Sequence, residues 1–69
     1  MSKALGFIGL GVMGFPMAGH LANQNNNISV FNRTLEKSKT WNTKYQGVIC
    51  NSPAELAKLS DVIMICIGN

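Results

Sequence analysis

Apolar residues occur along the chain in two alternating patterns, which predict four strands and three helices. Four short apolar runs are typical of strands, and the stretches between them carry apolar residues at helical spacing. The predicted strands cover residues 4–8, 28–31, 48–50 and 61–67, and the predicted helices cover residues 12–24, 35–45 and 53–59. Because strands that alternate with helices form parallel sheets with right-handed crossovers, we predict an α/β fold. The expected architecture is a Rossmann-type doubly wound parallel sheet with strand order 3-2-1-4.

Signals for helix starts precede the second and third predicted helices. Thr34 is a favourable N-cap residue, and Leu35 and Trp41 are the expected buried anchors of the second helix. Ser52 and Glu55 have the spacing of a capping box at the start of the third helix. These signals place the helix boundaries close to those indicated by the apolar pattern.

The fourth predicted strand is a nearly unbroken apolar run from Asp61 to Ile67. Such a run is typical of a strand buried on both faces of a parallel sheet, and a buried strand needs neighbours that cover it. The composition points the same way, since 13% of the residues are charged against about 25% in an average soluble domain. We therefore expect residues 1–69 to be part of a longer protein.

The first strand leads directly into a glycine-rich turn of the form G-x-G-x-x-G, and the following segment has the spacing of a helix. Gly9 permits a tight turn, Gly11 has no Cβ to block an approaching pyrophosphate, and Gly14 lets the helix pack closely on the strand. The helix start would direct free N–H groups and its positive dipole end at the phosphates. The sequence thus predicts a dinucleotide site that includes Phe7, Ile8, Gly9, Leu10, Gly11, Val12, Met13 and Gly14.

The residues after the second strand are expected to select the cofactor. Enzymes that use NAD usually carry Asp or Glu there to bind the ribose 2′-OH, whereas this chain has Asn32 followed by Arg33. Asparagine does not repel a 2′-phosphate, and Arg33 can direct two N–H groups at phosphate oxygens. Thr34 and Lys37 can add a hydroxyl and a second cation. We predict NADP as the preferred cofactor, with NAD also possible; the alternative is that Arg33 and Lys37 are ordinary solvated residues.

The remaining chemically interesting side chains are better explained by packing. His20 lies within the first predicted helix, and Met13, Met17 and Met64 are expected to be core residues or pocket walls. Gly19 costs that helix about 1 kcal/mol relative to alanine, so we expect a neighbour that packs closely against it. The sequence predicts no catalytic residue and no metal site in this segment.

Composition and charge disfavour several other classes of function. The net charge is +3, and the basic residues are spread from Lys3 to Lys58 rather than clustered, so no nucleic-acid partner is expected. Cys50 and Cys66 are too few and too distant for a disulfide framework, and we expect buried reduced thiols. No apolar stretch reaches the roughly 18 residues of a membrane span. The chain enters a strand without a targeting segment, which predicts a cytoplasmic protein with no membrane partner.

Three segments of the chain are distinctive: Phe7-Ile8-Gly9-Leu10-Gly11-Val12-Met13-Gly14-Phe15-Pro16-Met17-Ala18, Asn32-Arg33-Thr34 and Ser52-Pro53-Ala54-Glu55. Together they resemble the β-hydroxyacid dehydrogenase family. That family includes 3-hydroxyisobutyrate dehydrogenases, tartronate semialdehyde and glyoxylate/succinic semialdehyde reductases, and 6-phosphogluconate dehydrogenase, and imine reductases are its relatives. The resemblance covers essentially the whole chain, although His20 stands where the family usually has asparagine, and residues 23–27 replace a helix end similar to Lys-x-Gly.

The resemblance implies more than the residues alone predict. It implies that residues 1–69 are the N-terminal part of an NAD(P)-binding Rossmann domain. An all-helical second domain would follow, complete the active site and dimerise, with a substrate-binding Ser-Gly-Gly segment and a catalytic lysine beyond Asn69. Ile67, Gly68 and Asn69 would then run near the ribose on the nicotinamide side. The implied function is an NADP-preferring oxidoreductase that acts on a small 3-hydroxyacid or semialdehyde, as a homo-oligomer. The alternatives are an imine reductase-like enzyme, and a nucleotide-binding module or inactive scaffold.

Overall fold

The computed structural model describes residues 3–24 and 27–66, which form four strands and three helices. The predicted order of elements is confirmed, and no boundary differs from the prediction by more than two residues. The elements are β1 (Leu5–Ile8), α1 (Gly14–Gln24), β2 (Ile28–Phe31), α2 (Leu35–Lys44), β3 (Val48–Ile49), α3 (Pro53–Leu59) and β4 (Val62–Ile65). None of the described helices is long and apolar enough to cross a membrane.

The four strands form one parallel sheet with the order β3-β2-β1-β4, as the alternating pattern predicts. At the carboxyl end of β1, Ile8 pairs with Phe31 on one side and with Ile65 on the other. The carboxyl ends of β1, β2 and β4 therefore lie level with one another. In open parallel sheets, ligands bind outside this edge.

The core lies between the sheet and the helices. Its buried members are Phe7, Leu10, Ala18, Ala22, Ile28, Val30 and Trp41. Trp41 is fully buried, as predicted, but the expectation for Leu35 is wrong because 41% of its surface is exposed. A helix has about 3.6 residues per turn, so the six positions between Leu35 and Trp41 place them on different faces. Ser38, three positions before Trp41, shares the buried face instead.

The fourth strand, which was expected to need further neighbours to cover it, is partly exposed within the described residues. Val62, Ile63 and Ile65 are 39%, 41% and 60% exposed. The physical reason is the position of β4 at the edge of the described sheet, where β1 is its neighbour on one side. Asp61 starts this strand: its carboxylate accepts a hydrogen bond from the Ala4 N–H at 3.1 Å, and its own N–H donates to the Ala4 carbonyl at 2.7 Å.

The two predicted helix caps differ in the structure. The Ser52 hydroxyl accepts a hydrogen bond from the Glu55 N–H at 3.1 Å, and the Glu55 carboxylate accepts one from the Asn51 N–H at 2.7 Å. The capping box is therefore formed, although Glu55 reaches one residue further back than Ser52. Thr34 occupies the N-cap position of α2, but its side chain makes no capping hydrogen bond.

The predicted close neighbour of Gly19 is the Tyr45 ring. A Cβ atom at Gly19 would collide with the Tyr45 ring, which packs against Phe15 and Trp41 with ring centroids 6.2 and 5.4 Å away. His20 is exposed on the same helix and lies 3.4 Å from the Gln24 side chain. Its surroundings are those of a surface residue on α1.

Candidate functional site

A cleft of about 840 Å³ lies outside the carboxyl edge of the sheet. The glycine-rich turn after β1 forms one wall, and the loop between β2 and α2 forms the other. Its lining residues are Ile8, Gly9, Gly11, Val12, Met13, Gly14, Phe31, Asn32, Arg33, Thr34, Lys37 and Cys66. The structure thus brings together the two sequence motifs that were predicted to bind a nucleotide.

The three glycines of the turn are explained by different features of the structure. Gly9 has a φ of 99°, a conformation that side-chain-bearing residues rarely adopt, and a Cβ there would collide with the Cys66 carbonyl oxygen. A Cβ at Gly14 would collide with the carbonyl oxygen of Gly9 and lie 3.2 Å from the Phe7 ring. At Gly11 a Cβ would meet no protein atom within 4 Å. Gly9 and Gly14 are therefore required by the fold, whereas Gly11 leaves space at the wall of the cleft.

The start of α1 supplies donors to this space. The first hydrogen bond of the helical turn runs from the Phe15 N–H to the Gly11 carbonyl at 2.9 Å. The N–H groups from Gly11 to Gly14 precede it, so they have no carbonyl of the helix to bond to. The first turn of α1 also carries no acidic residue. Such a helix start favours an anion, through free N–H groups and the positive end of the helix dipole.

The opposite wall carries the cationic side chains. Arg33, Thr34 and Lys37 are exposed and line the cleft. Because Thr34 makes no capping hydrogen bond, its hydroxyl is not used by α2. A phosphate group in this part of the cleft would meet an arginine, a lysine and a hydroxyl, which are the side-chain donors that phosphate prefers.

Asn32 lines the cleft but is engaged by the protein. Its Oδ1 accepts a hydrogen bond from the Leu10 N–H at 2.8 Å, and its Nδ2 donates to the Thr34 carbonyl at 3.0 Å. Asn32 therefore links the glycine-rich turn to the loop before α2.

Some of the predicted site residues lie elsewhere. Phe7 and Leu10 have buried side chains that belong to the core, and they are outside the lining of the cleft. Ile67, Gly68 and Asn69 fall outside the described residues. Met13 lines the cleft, whereas Met17 and Met64 line a separate apolar groove of about 410 Å³ beside α1. That arrangement fits the interpretation of these methionines as pocket walls.

Phe31 and Cys66 line the cleft although the sequence reasoning missed both. Phe31 is the last residue of β2, and Cys66 directly follows β4, with its N–H donating to the Ile8 carbonyl at 2.8 Å. Their places at the carboxyl ends of strands were a usable signal, because ligands bind at that edge. Cys66 is half-buried, so the expectation of two buried thiols is met only by Cys50.

Cys50 lies away from the cleft, and its surroundings make it unreactive. Burial, together with the negative charge of Glu55, raises the pKa of the Cys50 thiol, and a hydrogen bond with Ser29 partly opposes this effect. A raised pKa keeps the thiol protonated, and protonated thiols are poor nucleophiles and poor metal ligands. Within the described residues, no group of three or more His, Cys, Asp or Glu side chains could hold a metal ion.

Comparison with known families identifies the domain. Residues 4–69 match the family model described as the NAD binding domain of 6-phosphogluconate dehydrogenase. The chain belongs to this family. The match confirms the resemblance predicted from the glycine-rich turn and the Asn32-Arg33-Thr34 segment, and it makes the chain a nicotinamide-dinucleotide-binding domain of an oxidoreductase family.

Individual relatives agree with this assignment. The chain is 48% identical to an uncharacterized oxidoreductase of Shewanella frigidimarina over 91% of its own length and 22% of that protein. It is 42% identical to a probable mitochondrial 3-hydroxyisobutyrate dehydrogenase-like protein of Arabidopsis thaliana, over 94% of the chain and 20% of that protein. The chain therefore spans about a fifth of the length of these relatives.

A solved structure confirms the fold. The imine reductase from Pseudomonas sp. superimposes with a TM-score of 0.87 over 97% of this chain and 23% of that enzyme. At 24% sequence identity, the likeness supports the Rossmann-type sheet and helix arrangement.

Proposed function

We propose that this domain binds NADP in preference to NAD, as the cofactor-binding part of an oxidoreductase. The full enzyme would transfer a hydride between the nicotinamide and a small 3-hydroxyacid or the matching semialdehyde. The observation that carries the proposal is the convergence of Arg33, Thr34 and Lys37 on the same cleft as the glycine-rich turn. The family membership and the 3-hydroxyisobutyrate dehydrogenase-like relative support the class of reaction.

The described residues fit the two ends of such a cofactor. The open space at Gly11 and the N–H groups at the start of α1 suit a pyrophosphate, which needs close backbone approach and donors. Arg33 and Lys37 suit a 2′-phosphate, and this end of β2 holds Asn32 in place of the carboxylate that would repel it. The nicotinamide ring supplies the hydride chemistry, while the protein orients the cofactor and provides its electrostatic environment.

The cofactor preference can be tested with Arg33→Ala in the full-length protein. Loss of a charge-assisted hydrogen bond costs about 1.5–3 kcal/mol, so NADPH affinity should fall by about ten- to a hundredfold. NADH affinity should change little, because NADH has no 2′-phosphate. Lys58→Ala is a matched control, since Lys58 is an exposed cation on α3. Equal weakening of both cofactors would show that Arg33 does not bind the 2′-phosphate.

The reaction class needs a separate measurement. The full-length protein should consume NADPH in the presence of small semialdehydes and should reduce NADP in the presence of 3-hydroxyacids. Turnover of cyclic imines alone would favour the imine reductase-like alternative. Tight NADPH binding with no turnover of any of these compounds would favour a nucleotide-binding module without chemistry.

A further inference from the structure

Asn32 connects the two walls of the cleft through the two ends of one amide group. Its oxygen bonds to the Leu10 N–H in the glycine-rich turn, 22 residues earlier in the chain. Its nitrogen bonds to the Thr34 carbonyl in the loop before α2. The orientation of the amide is unambiguous, because a backbone N–H can only donate and a backbone carbonyl can only accept.

The Thr34 carbonyl is itself part of the cationic wall. It accepts the Lys37 N–H at 3.1 Å as well as the Asn32 amide. The Asn32 side chain is therefore attached to the backbone that begins α2 and carries Arg33 and Lys37. Through Leu10 it is also attached to the turn that contains Gly9 and Gly11. One side chain thus links the two walls, in addition to the backbone hydrogen bond from the Gly9 N–H to the Phe31 carbonyl at 2.9 Å.

Only an amide of this length satisfies both partners. A carboxylate at position 32 could still accept from the Leu10 N–H, but it would direct an oxygen at the Thr34 carbonyl, where neither group has a proton to donate. Alanine would make neither bond and would leave the part-buried Leu10 N–H without its partner. Each polar atom of Asn32 makes a hydrogen bond within the protein, so the side chain is suited to position the loops.

We propose that Asn32 is a positioning residue that sets the spacing between the pyrophosphate wall and the 2′-phosphate wall. The inference rests on the proposed function, because it assumes that the two walls hold two ends of one dinucleotide. It predicts that Asn32 matters for ligands that span both walls and matters little for ligands that occupy the cationic wall alone. A direct contact between Asn32 and the 2′-phosphate region predicts equal losses for both kinds of ligand.

The experiment compares NADPH with 2′-AMP in the full-length protein and its Asn32→Ala variant. NADPH spans both walls, whereas 2′-AMP offers only the adenosine and the 2′-phosphate. Without the link, the two walls would have to be ordered when NADPH binds, so NADPH should bind about tenfold more weakly. The affinity for 2′-AMP should stay within about twofold of the parent value. Equal loss of both ligands, or no loss of NADPH, would overturn the inference.

Hydrogen exchange of the cofactor-free protein gives a readout that does not depend on binding. The Leu10 amide should be protected in the parent protein and in Asn32→Asp, and should exchange faster in Asn32→Ala. Asn23→Asp is the matched control for the added charge, because Asn23 is exposed on α1; it should leave Leu10 protection and NADPH affinity unchanged. Equal Leu10 protection in all variants would overturn the inference.

The two proposals fail in different ways. If the parent protein binds neither NADPH nor 2′-AMP, the proposed function is wrong. If the parent binds both and Asn32→Ala leaves their affinity ratio unchanged, the proposed function stands and the positioning role is wrong.

Discussion

The carbonyl oxygen of Gly9 occupies the space that a Cβ atom of residue 14 would need. This contact joins the two ends of the glycine-rich turn, and it involves backbone atoms that cannot move aside as a flexible side chain could. At Gly11, only three residues earlier, the equivalent space is open. The same fingerprint therefore contains two glycines that the fold requires, Gly9 and Gly14, and one, Gly11, at which the space for a side chain is open.

Gly14→Ala and Gly11→Ala should separate stability from binding. Overpacking costs about 1–3 kcal/mol, which exceeds the gain of about 1 kcal/mol from alanine in a helix, so Gly14→Ala should lower the thermal midpoint of the cofactor-free protein. Gly11→Ala should change stability by less than about 0.5 kcal/mol and weaken NADPH about tenfold or more. Equal melting temperatures for the two variants would contradict the distinction.

The glycine-rich turn and the sheet order were predictable because their signals are local. Glycine spacing, a preceding apolar run and a following helical pattern all lie within one short segment. The parallel direction of the strands follows from their alternation with helices along the chain. The roles of Asn32 and Leu10 were not predictable in the same way. Their hydrogen bond joins residues 22 positions apart, and it depends on how the β2 loop lies against the turn.

Burial was the less predictable property, because it depends on neighbours that periodicity does not identify. Leu35 was expected in the core, but it begins α2 on a different face from Trp41 and is half-exposed. The apolar residues of β4 were expected to be buried by further neighbours; within the described residues β4 lies at the edge of the sheet, and Val62, Ile63 and Ile65 are exposed. In both cases hydrophobicity was correctly assessed, while the position of the residue within the assembled elements decided its exposure.

Ser52 and Thr34 offer a matched test of helix capping. Both occupy N-cap positions, but only the Ser52 side chain accepts a capping hydrogen bond. Ser52→Ala should therefore destabilise the cofactor-free protein by about 1 kcal/mol, and Thr34→Ala by less than about 0.5 kcal/mol. Thermal or urea unfolding of the two variants measures the difference. A larger loss for Thr34→Ala would mean that its hydroxyl caps α2 in solution.

Gly19→Ala should destabilise the domain although alanine is the better helix former. The propensity gain of about 1 kcal/mol is opposed by overpacking against the Tyr45 ring, at about 1–3 kcal/mol. In a Tyr45→Leu background the ring is absent, so the same substitution should become neutral or stabilising. The coupling between the two sites should reach about 0.5–3 kcal/mol in a double-mutant cycle. Additive effects would show that the ring moves aside without cost.

The two cysteines should differ in their reaction with iodoacetamide. Cys66 lines the cleft and is half-buried, so it should be labelled before the fully buried Cys50. Burial and the negative charge of Glu55 raise the pKa of the Cys50 thiol. Its thiolate should therefore form only at a higher pH than in the unfolded chain, where a free thiol has a pKa of about 8.5. Native labelling of Cys50 should therefore lag behind labelling of the urea-unfolded protein as the pH rises.

Saturating NADPH should slow labelling of Cys66 and leave labelling of Cys50 unchanged, which peptide mass spectrometry of the full-length protein can resolve. Undiminished labelling of Cys66 in the presence of bound NADPH would place the cofactor away from the β4 side of the cleft.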